Sequence, residues 1–259
     1  MKQRYDYFQY KLPDKPASYY IDRAVPVLRE LRERFPKQYE EIFCCASEVL
    51  TISGVRALDT YYVFDYAPTE LVNEIALFLK SKQLLVAPET FPYADTPNTE
   101  QAFSLVHLQA IHEIPDRYGY VPAWQPFHGD KIQQPQDFFL WWSLWKERVV
   151  YLPDNATHKD PIPAPIKQWM QHDAYAAHNM TFGMLLGYPG EAICSTLWES
   201  ERDRDEGLIV DARIAEARRH DGAIPVYSYH KELASSKTIQ AHEKLWSDIL
   251  SGVYAQLEG

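Results

Sequence analysis

The sequence predicts an α/β domain: a mainly parallel sheet flanked by helices, with a helical N-terminal segment and a Pro-rich insertion. Three observations predict it. Residues 1–54 carry helical periodicity after a Tyr-rich start. Short β-branched or aromatic runs recur from residue 55 onward. Helical stretches separate most of those runs. An α+β arrangement with an antiparallel edge is the alternative. The chain has 259 residues and no evident linker, so it reads as one globular domain over 1–259.

The N-terminal segment holds two helical patterns. Ile21, Val25, Leu28 and Leu31 mark the first, in which Pro26 either starts or kinks the helix. Pro36 opens the second, with Tyr39, Ile42, Phe43, Ala46, Val49 and Leu50 on one face and Ser53-Gly54 as its close. Strands are expected at 60–64, 84–87, 149–152, 208–210 and 224–229. Helices are expected after Pro68 and Pro135, over about 165–186, after Asp211, and after Ser235-Ser236. The last of these should bury Ile239, Trp246, Ile249, Leu250, Val253 and Leu257, with His242 as a hydrogen-bonded histidine on the same face. Leu185-Leu186-Gly187-Tyr188-Pro189 reads as a corner: Gly187 stops one helix in a left-handed conformation and Pro189 starts the next.

The alternation lapses over 88–135, where Pro88, Pro92, Pro97, Pro115, Pro122, Pro126 and Pro135 fall. Asn98 and Gln101 form a capping box there that predicts one helix. An irregular insertion of this length is either a lid or a structural excursion.

Composition narrows the function classes. With 26 basic against 36 acidic residues, the net charge of −10 disfavours nucleic acid as a partner, since phosphates must be neutralised by Lys and Arg. Arg23, Arg29, Arg32, Arg34 and Lys37 cluster, but Asp22, Glu30, Glu33, Glu40 and Glu41 are interleaved with them, as on a solvated helix. No run approaches a membrane span, and no signal-peptide pattern opens the chain. Three cysteines, Cys44, Cys45 and Cys194, have neither disulfide-framework nor zinc spacing, which suits a cytoplasmic protein. Cys44 and Cys45 are expected mid-helix and Cys194 buried, so that all three are unreactive. Neither a Gly-rich dinucleotide loop nor a P-loop is present, so no NAD or P-loop nucleotide cofactor is indicated.

The candidate site rests on a repeated placement. Asp65, Glu89, Asp154 and Asp211 each follow an apolar run directly, and His230 follows the last one. In open α/β sheets, ligands bind beyond the carboxyl ends of the strands, so these groups would converge on one rim. Asp65, Asp154, Asp211 and His230 are then the acid and base groups. Asp154, His158 and Asp160 are the candidate ligands for a divalent metal, whose hard-cation chemistry suits carboxylates. Asp before a helix is also a preferred cap, which is the architectural reading of Asp211.

Cys194 offers a different chemistry. The segment Cys194-Ser195-Thr196-Leu197-Trp198 follows a helix start at Pro189, and a thiol near a helix N-terminus is acidified. This five-residue run resembles the nucleophile helix of papain-like cysteine hydrolases. The resemblance implies a Cys194 nucleophile with His230 as base, although the expected His-containing strand signature is absent. Phe138-Phe139-Leu140-Trp141-Trp142 with Trp145 makes a helix apolar all round, suited to a core or an interface. Three functions therefore stand: a small-molecule enzyme with strand-end acids, a non-catalytic binding protein with an aromatic-rich interface that can self-associate, and a cysteine hydrolase.

Overall fold

The computed structural model describes residues 10–63, 69–89, 102–118, 183–197, 206–214 and 227–258. These are mostly helical, with two small antiparallel sheets and no parallel strand pair among them, which overturns the mainly parallel sheet expected from the sequence.

Helix α1 (Ala17–Arg34) begins well before Pro26 and runs through it. Its apolar stripe, Tyr20, Ala24, Val27, Leu28 and Leu31, is buried and lies against the C-terminal helix α7 (Lys237–Glu258). Helix α7 buries the six apolar residues named above, with His242 among them. Two of the basic residues of α1 serve this packing. Arg29 Nη2 donates to the Gln256 carbonyl at 2.7 Å, and Arg32 Nη1 to that of Leu257 at 2.7 Å. Both cations thereby satisfy carbonyls at the negative end of α7. Arg34 reaches Glu30 and Glu74 and lies over Phe35 and Phe78.

The second helical pattern is broken in the structure. Helix α2 (Pro36–Gln38) runs into a π-helical turn, Tyr39–Phe43, and a separate helix, α3 (Ala46–Ser53), follows. Cys44 and Cys45 occupy the junction, so they are not mid-helix. All eight residues of α3 are buried, and Gly54 closes it at φ +86°. An added Cβ there would stand 2.9 Å from His107 Nε2. Glycine is required at this position by both the left-handed backbone and the ring above it.

Strand β1 (Leu58–Val63), helix α4 (Thr69–Ser81) and strand β2 (Leu84–Glu89) follow the strand–helix–strand alternation of the sequence. Strand β3 (Ala102–His107) then inserts between them, giving the order β1-β3-β2. Its pairing is antiparallel on both sides, with Leu58 opposite Val106 and Leu84 opposite His107. The two strands that alternation predicts as parallel neighbours therefore never touch. Pro88 fits because β2 is an edge strand among the described residues, where a missing N–H is tolerated. The helix expected from the Asn98–Gln101 box starts only at Leu108, as α5 (Leu108–Tyr118).

Helix α6 (Gly190–Leu197) follows Gly187, whose φ of +76° and the Pro189 start are those the sequence predicts. Strands β4 (Ile209–Asp211) and β5 (Ser228–His230) form a two-stranded antiparallel ribbon. Residues 212–214 continue without a helix after Asp211. Glu243 Oε1 on α7 accepts from Arg213 N and Tyr229 Oη, each at 2.8 Å, and so fastens the ribbon to the C-terminal helix. No described helix is long and apolar enough to cross a membrane. The expected elements at 135–152 and most of 165–186 lie outside the described residues, as does the aromatic run at 138–145.

Gly54 and Gly207 both have positive φ, but a Cβ at Gly207 would meet nothing within 4 Å. Each Ala variant pays a backbone cost of roughly 1 kcal/mol or more, and only Gly54→Ala also displaces the His107 ring. Urea unfolding should therefore show Gly54→Ala less stable than Gly207→Ala by at least about 1 kcal/mol. Equal losses would contradict the packing of His107 on Gly54.

Candidate functional site

A polar seam joins α1 to α5 and opens into a cleft. Its residues follow helical spacing: Gln109, Glu113 and Arg117 recur every fourth position on α5, and Tyr19 and Arg23 do so on α1. Arg23 Nη1 donates to Tyr19 Oη and to Gln109 Oε1, each at 2.9 Å, while Arg23 Nη2 lies 3.0 Å from His107 Nε2. Gln109 Nε2 donates on to Glu113 Oε1 at 3.4 Å. Glu113 Oε2 accepts from Arg117 Nη2 at 2.9 Å, and Arg117 Nη1 donates to the Val55 carbonyl at 2.6 Å.

Beyond Arg117 the seam meets a cleft of about 390 Å³ lined by Lys11, Leu12, Pro13, Asp14, Lys15, Glu113, Asp116 and Arg117. The 10–16 segment is fixed across it by Lys11 N donating to the Arg117 carbonyl at 2.7 Å. Arg117 is buried while Glu113 keeps two-fifths of its side chain exposed. A held cation at the floor and an accessible carboxylate beside it are thus presented together.

His107 heads the seam. It ends β3, and its Nδ1 accepts from Ala110 N at 3.3 Å, capping α5. Burial, reinforced by the Arg23 guanidinium, pushes its pKa down to about 3. The ring is therefore neutral at ordinary pH. A neutral ring has one acceptor nitrogen, so with Nδ1 taken by Ala110 N the Nε2–H faces Arg23 without accepting from it.

A second polar cluster lies inside. His242 is wholly buried among Tyr10, Tyr227 and Trp246, with its ring centroid 4.3 Å from that of Trp246. With Tyr227 Oη donating to its Nδ1 (3.1 Å), its Nε2–H donates to the Gly187 carbonyl (2.9 Å). This is the hydrogen-bonded core histidine expected from the sequence. Burial drives its pKa down to about 3. Arg56 stands over the Trp246 ring and pairs with Asp59 at 3.7 Å, both side chains being buried. This cluster is packed and holds the core together.

The strand-end residues fare differently. Asp65, Asp154, His158 and Asp160 lie outside the described residues, so the candidate metal ligands do too. Glu89 ends β2, opposite Ala102. Asp211 and His230 are not brought to one rim. Antiparallel pairing sets Asp211 against Ser228 and His230 against Ile209, which separates them by about 7 Å of strand. Asp211 accepts from Ser228 Oγ at 3.0 Å on the surface, and with no helix after it, it is not a helix cap. His230 Nδ1 accepts from Glu232 N at 3.3 Å, capping the 3-10 turn Lys231–Ser235. Among the described residues, no three His, Cys, Asp or Glu side chains gather as metal ligands.

Cys194 is the fifth residue of α6 and is buried, 2% exposed. Its neighbour Ser195 meets the last strand: His230 N donates to Ser195 Oγ at 3.2 Å. Of the seam residues, the sequence singles out only Arg23, as part of a solvated helix face. The signal that finds them is the four-residue recurrence of Gln109, Glu113 and Arg117.

Both buried histidines make stability depend on pH. An unfolded histidine titrates near about 6.5, whereas His107 and His242 are held at about 3 in the fold. Above the unfolded value both states are neutral and no stability is lost. As pH falls from there toward 3, the unfolded chain gains protons that the folded chain refuses. Stability should drop by about 1.4 kcal/mol per pH unit for each histidine. Urea titrations across this window should give His242→Gln a slope smaller than the wild type by one such increment; identical slopes would contradict the neutral, buried state of His242. Comparison of the chain with known protein families, curated proteins and solved structures gives no match.

Proposed function

We propose that the protein binds a small zwitterionic molecule, an amino acid or short peptide, in the cleft between the 10–16 segment and α5. One observation carries this reading. Within about 390 Å³, three cations (Lys11, Lys15 and Arg117) and three carboxylates (Asp14, Glu113 and Asp116) line the same cleft. That volume is at the lower end of small-molecule sites. Lys11 and Lys15 would take a carboxylate, with Arg117 behind them. Glu113, already oriented by Arg117 and Gln109, would take an ammonium group. The small-molecule expectation of the sequence is kept, with α5 and the N-terminal segment as its site in place of the strand ends. Three free thiols support a reducing, cytoplasmic setting.

The test is a thermal-shift series with the twenty standard amino acids and simple dipeptides, followed by calorimetry on any that respond. A ligand at a hundred times its Kd adds about 2.7 kcal/mol, a rise of roughly 5–10 °C. The pair Lys11→Ala/Lys15→Ala alters only exposed side chains, so it should keep the ligand-free melting temperature and lose at least tenfold in affinity. Silence across the whole series, or full affinity in the double variant, would overturn the proposal.

A further inference from the structure

A side-chain amide is directional, and the two charges that flank Gln109 allow it one orientation. A guanidinium can only donate hydrogen bonds, and a carboxylate can only accept them. Gln109 lies between one of each: its Oε1 accepts from Arg23 Nη1 at 2.9 Å, and its Nε2 donates to Glu113 Oε1 at 3.4 Å. Turned over, the amide would set its NH2 group against the guanidinium and its oxygen against the carboxylate, losing both bonds. Arg23 on α1 thereby decides which end of Gln109 faces Glu113 on α5.

Glu113 needs that partner to keep one orientation. Its other oxygen, Oε2, accepts from Arg117 Nη2 at 2.9 Å. Arg117 Nη1 is turned to the Val55 carbonyl at 2.6 Å, and the bond to Glu113 Oε1 comes from Gln109. A carboxylate held by one oxygen can swing about it, whereas one bond to each oxygen fixes its plane. The Glu113 side chain is two-fifths exposed, so packing holds it only in part.

We propose that Arg23 is a positioning residue for the cleft: by fixing the amide of Gln109, it holds the Glu113 carboxylate in the orientation that receives an ammonium group. This role rests on Glu113 being the ammonium acceptor, as proposed above. Neither Arg23 nor Gln109 lines the cleft, so neither touches its occupant. Arg23 sets selectivity for the ammonium end of a ligand and leaves the carboxylate end to Lys11 and Lys15.

Arg23 is itself anchored. Its Nη1 also donates to Tyr19 Oη at 2.9 Å, one turn earlier on α1, and its guanidinium stands 5.4 Å from the centroid of the Tyr19 ring. The same nitrogen makes the bonds to Tyr19 and to Gln109. A single ammonium nitrogen with three donors can replace both, so Arg23→Lys preserves the chemistry that Arg23→Met removes.

NMR of the ligand-free, full-length protein labelled at glutamate tests this first. Three-bond couplings of Glu113, assigned by their loss in Glu113→Gln, should report one side-chain rotamer in the wild type and in Arg23→Lys. They should be averaged in Arg23→Met and equally in Gln109→Leu, which breaks the same connection at its other member. Calorimetry with alanylalanine and with propionylalanine, which lacks only the ammonium group, is the second arm. Arg23→Met should lose about fivefold in affinity for the first and nothing for the second, and Arg23→Lys should restore the loss. A Glu113 already averaged in the wild type, one that stays fixed in Arg23→Met, or equal losses for both probes would overturn the proposal. Alanylalanine that fails to bind the wild type would count against the ammonium reading of the cleft alone, since the couplings decide the role of Arg23 without a ligand.

Discussion

The hydrogen bond from His242 Nε2 to the Gly187 carbonyl is the constraint around which the described structure is organised. It reaches from the middle of the C-terminal helix to the turn before α6. That turn is shared by several parts of the chain. Ala57 N donates to the Leu185 carbonyl, which holds the entry to β1. Tyr118 Oη donates to the Tyr188 carbonyl, which holds the end of α5. Gly187 itself lies against Arg56, the Val55 carbonyl and Trp246, and its φ of +76° leaves little room for any other residue. A neutral imidazole is required here because one ring nitrogen must accept from Tyr227 while the other donates. Burial enforces that state, so the histidine acts as a fixed connector, insensitive to ordinary pH.

The same connection positions the polar seam. Val55, next to the residues that touch the turn, lends its carbonyl to Arg117. Arg117 in turn holds Glu113 and, through its own carbonyl, the 10–16 segment. One wall of the cleft is therefore tied to the core through Arg117, while Lys11, Asp14, Lys15 and Asp116 line it from exposed positions. Its electrostatics follow: a buried guanidinium needs a carboxylate and a carbonyl to offset its lost hydration, and Glu113 supplies the first while staying partly open to solvent.

What was legible in the sequence is what local chemistry alone decides. The apolar stripe of α7, the Gly54 and Gly187 stops and the Pro189 start appear in the structure because spacing and backbone freedom fix them. The sheet was misread because alternation is silent on insertion. Strand, helix and strand in order imply parallel neighbours only if nothing enters between them, and Ala102–His107 does enter. Its residues stood beside a capping box and were read as helix. The strand-end carboxylates illustrate the consequence. They converge only on a parallel sheet, and the antiparallel ribbon turns Asp211 and His230 to opposite ends. Cys44 and Cys45 fall outside a continuous helix for a related reason. The period of 3.6 passes smoothly through residues 36–53, whereas a π-helical turn at Tyr39–Phe43 breaks it.

Nitrogen-15 NMR of the His242 ring, assigned by comparison with His242→Gln, tests this organisation most directly. The structure requires a neutral ring protonated on Nε2 and hydrogen-bonded at both nitrogens, with shifts unchanged as pH falls from 7 toward the onset of acid unfolding. A ring that titrates near the usual histidine value of about 6.5, or one carrying its proton on Nδ1, would contradict it.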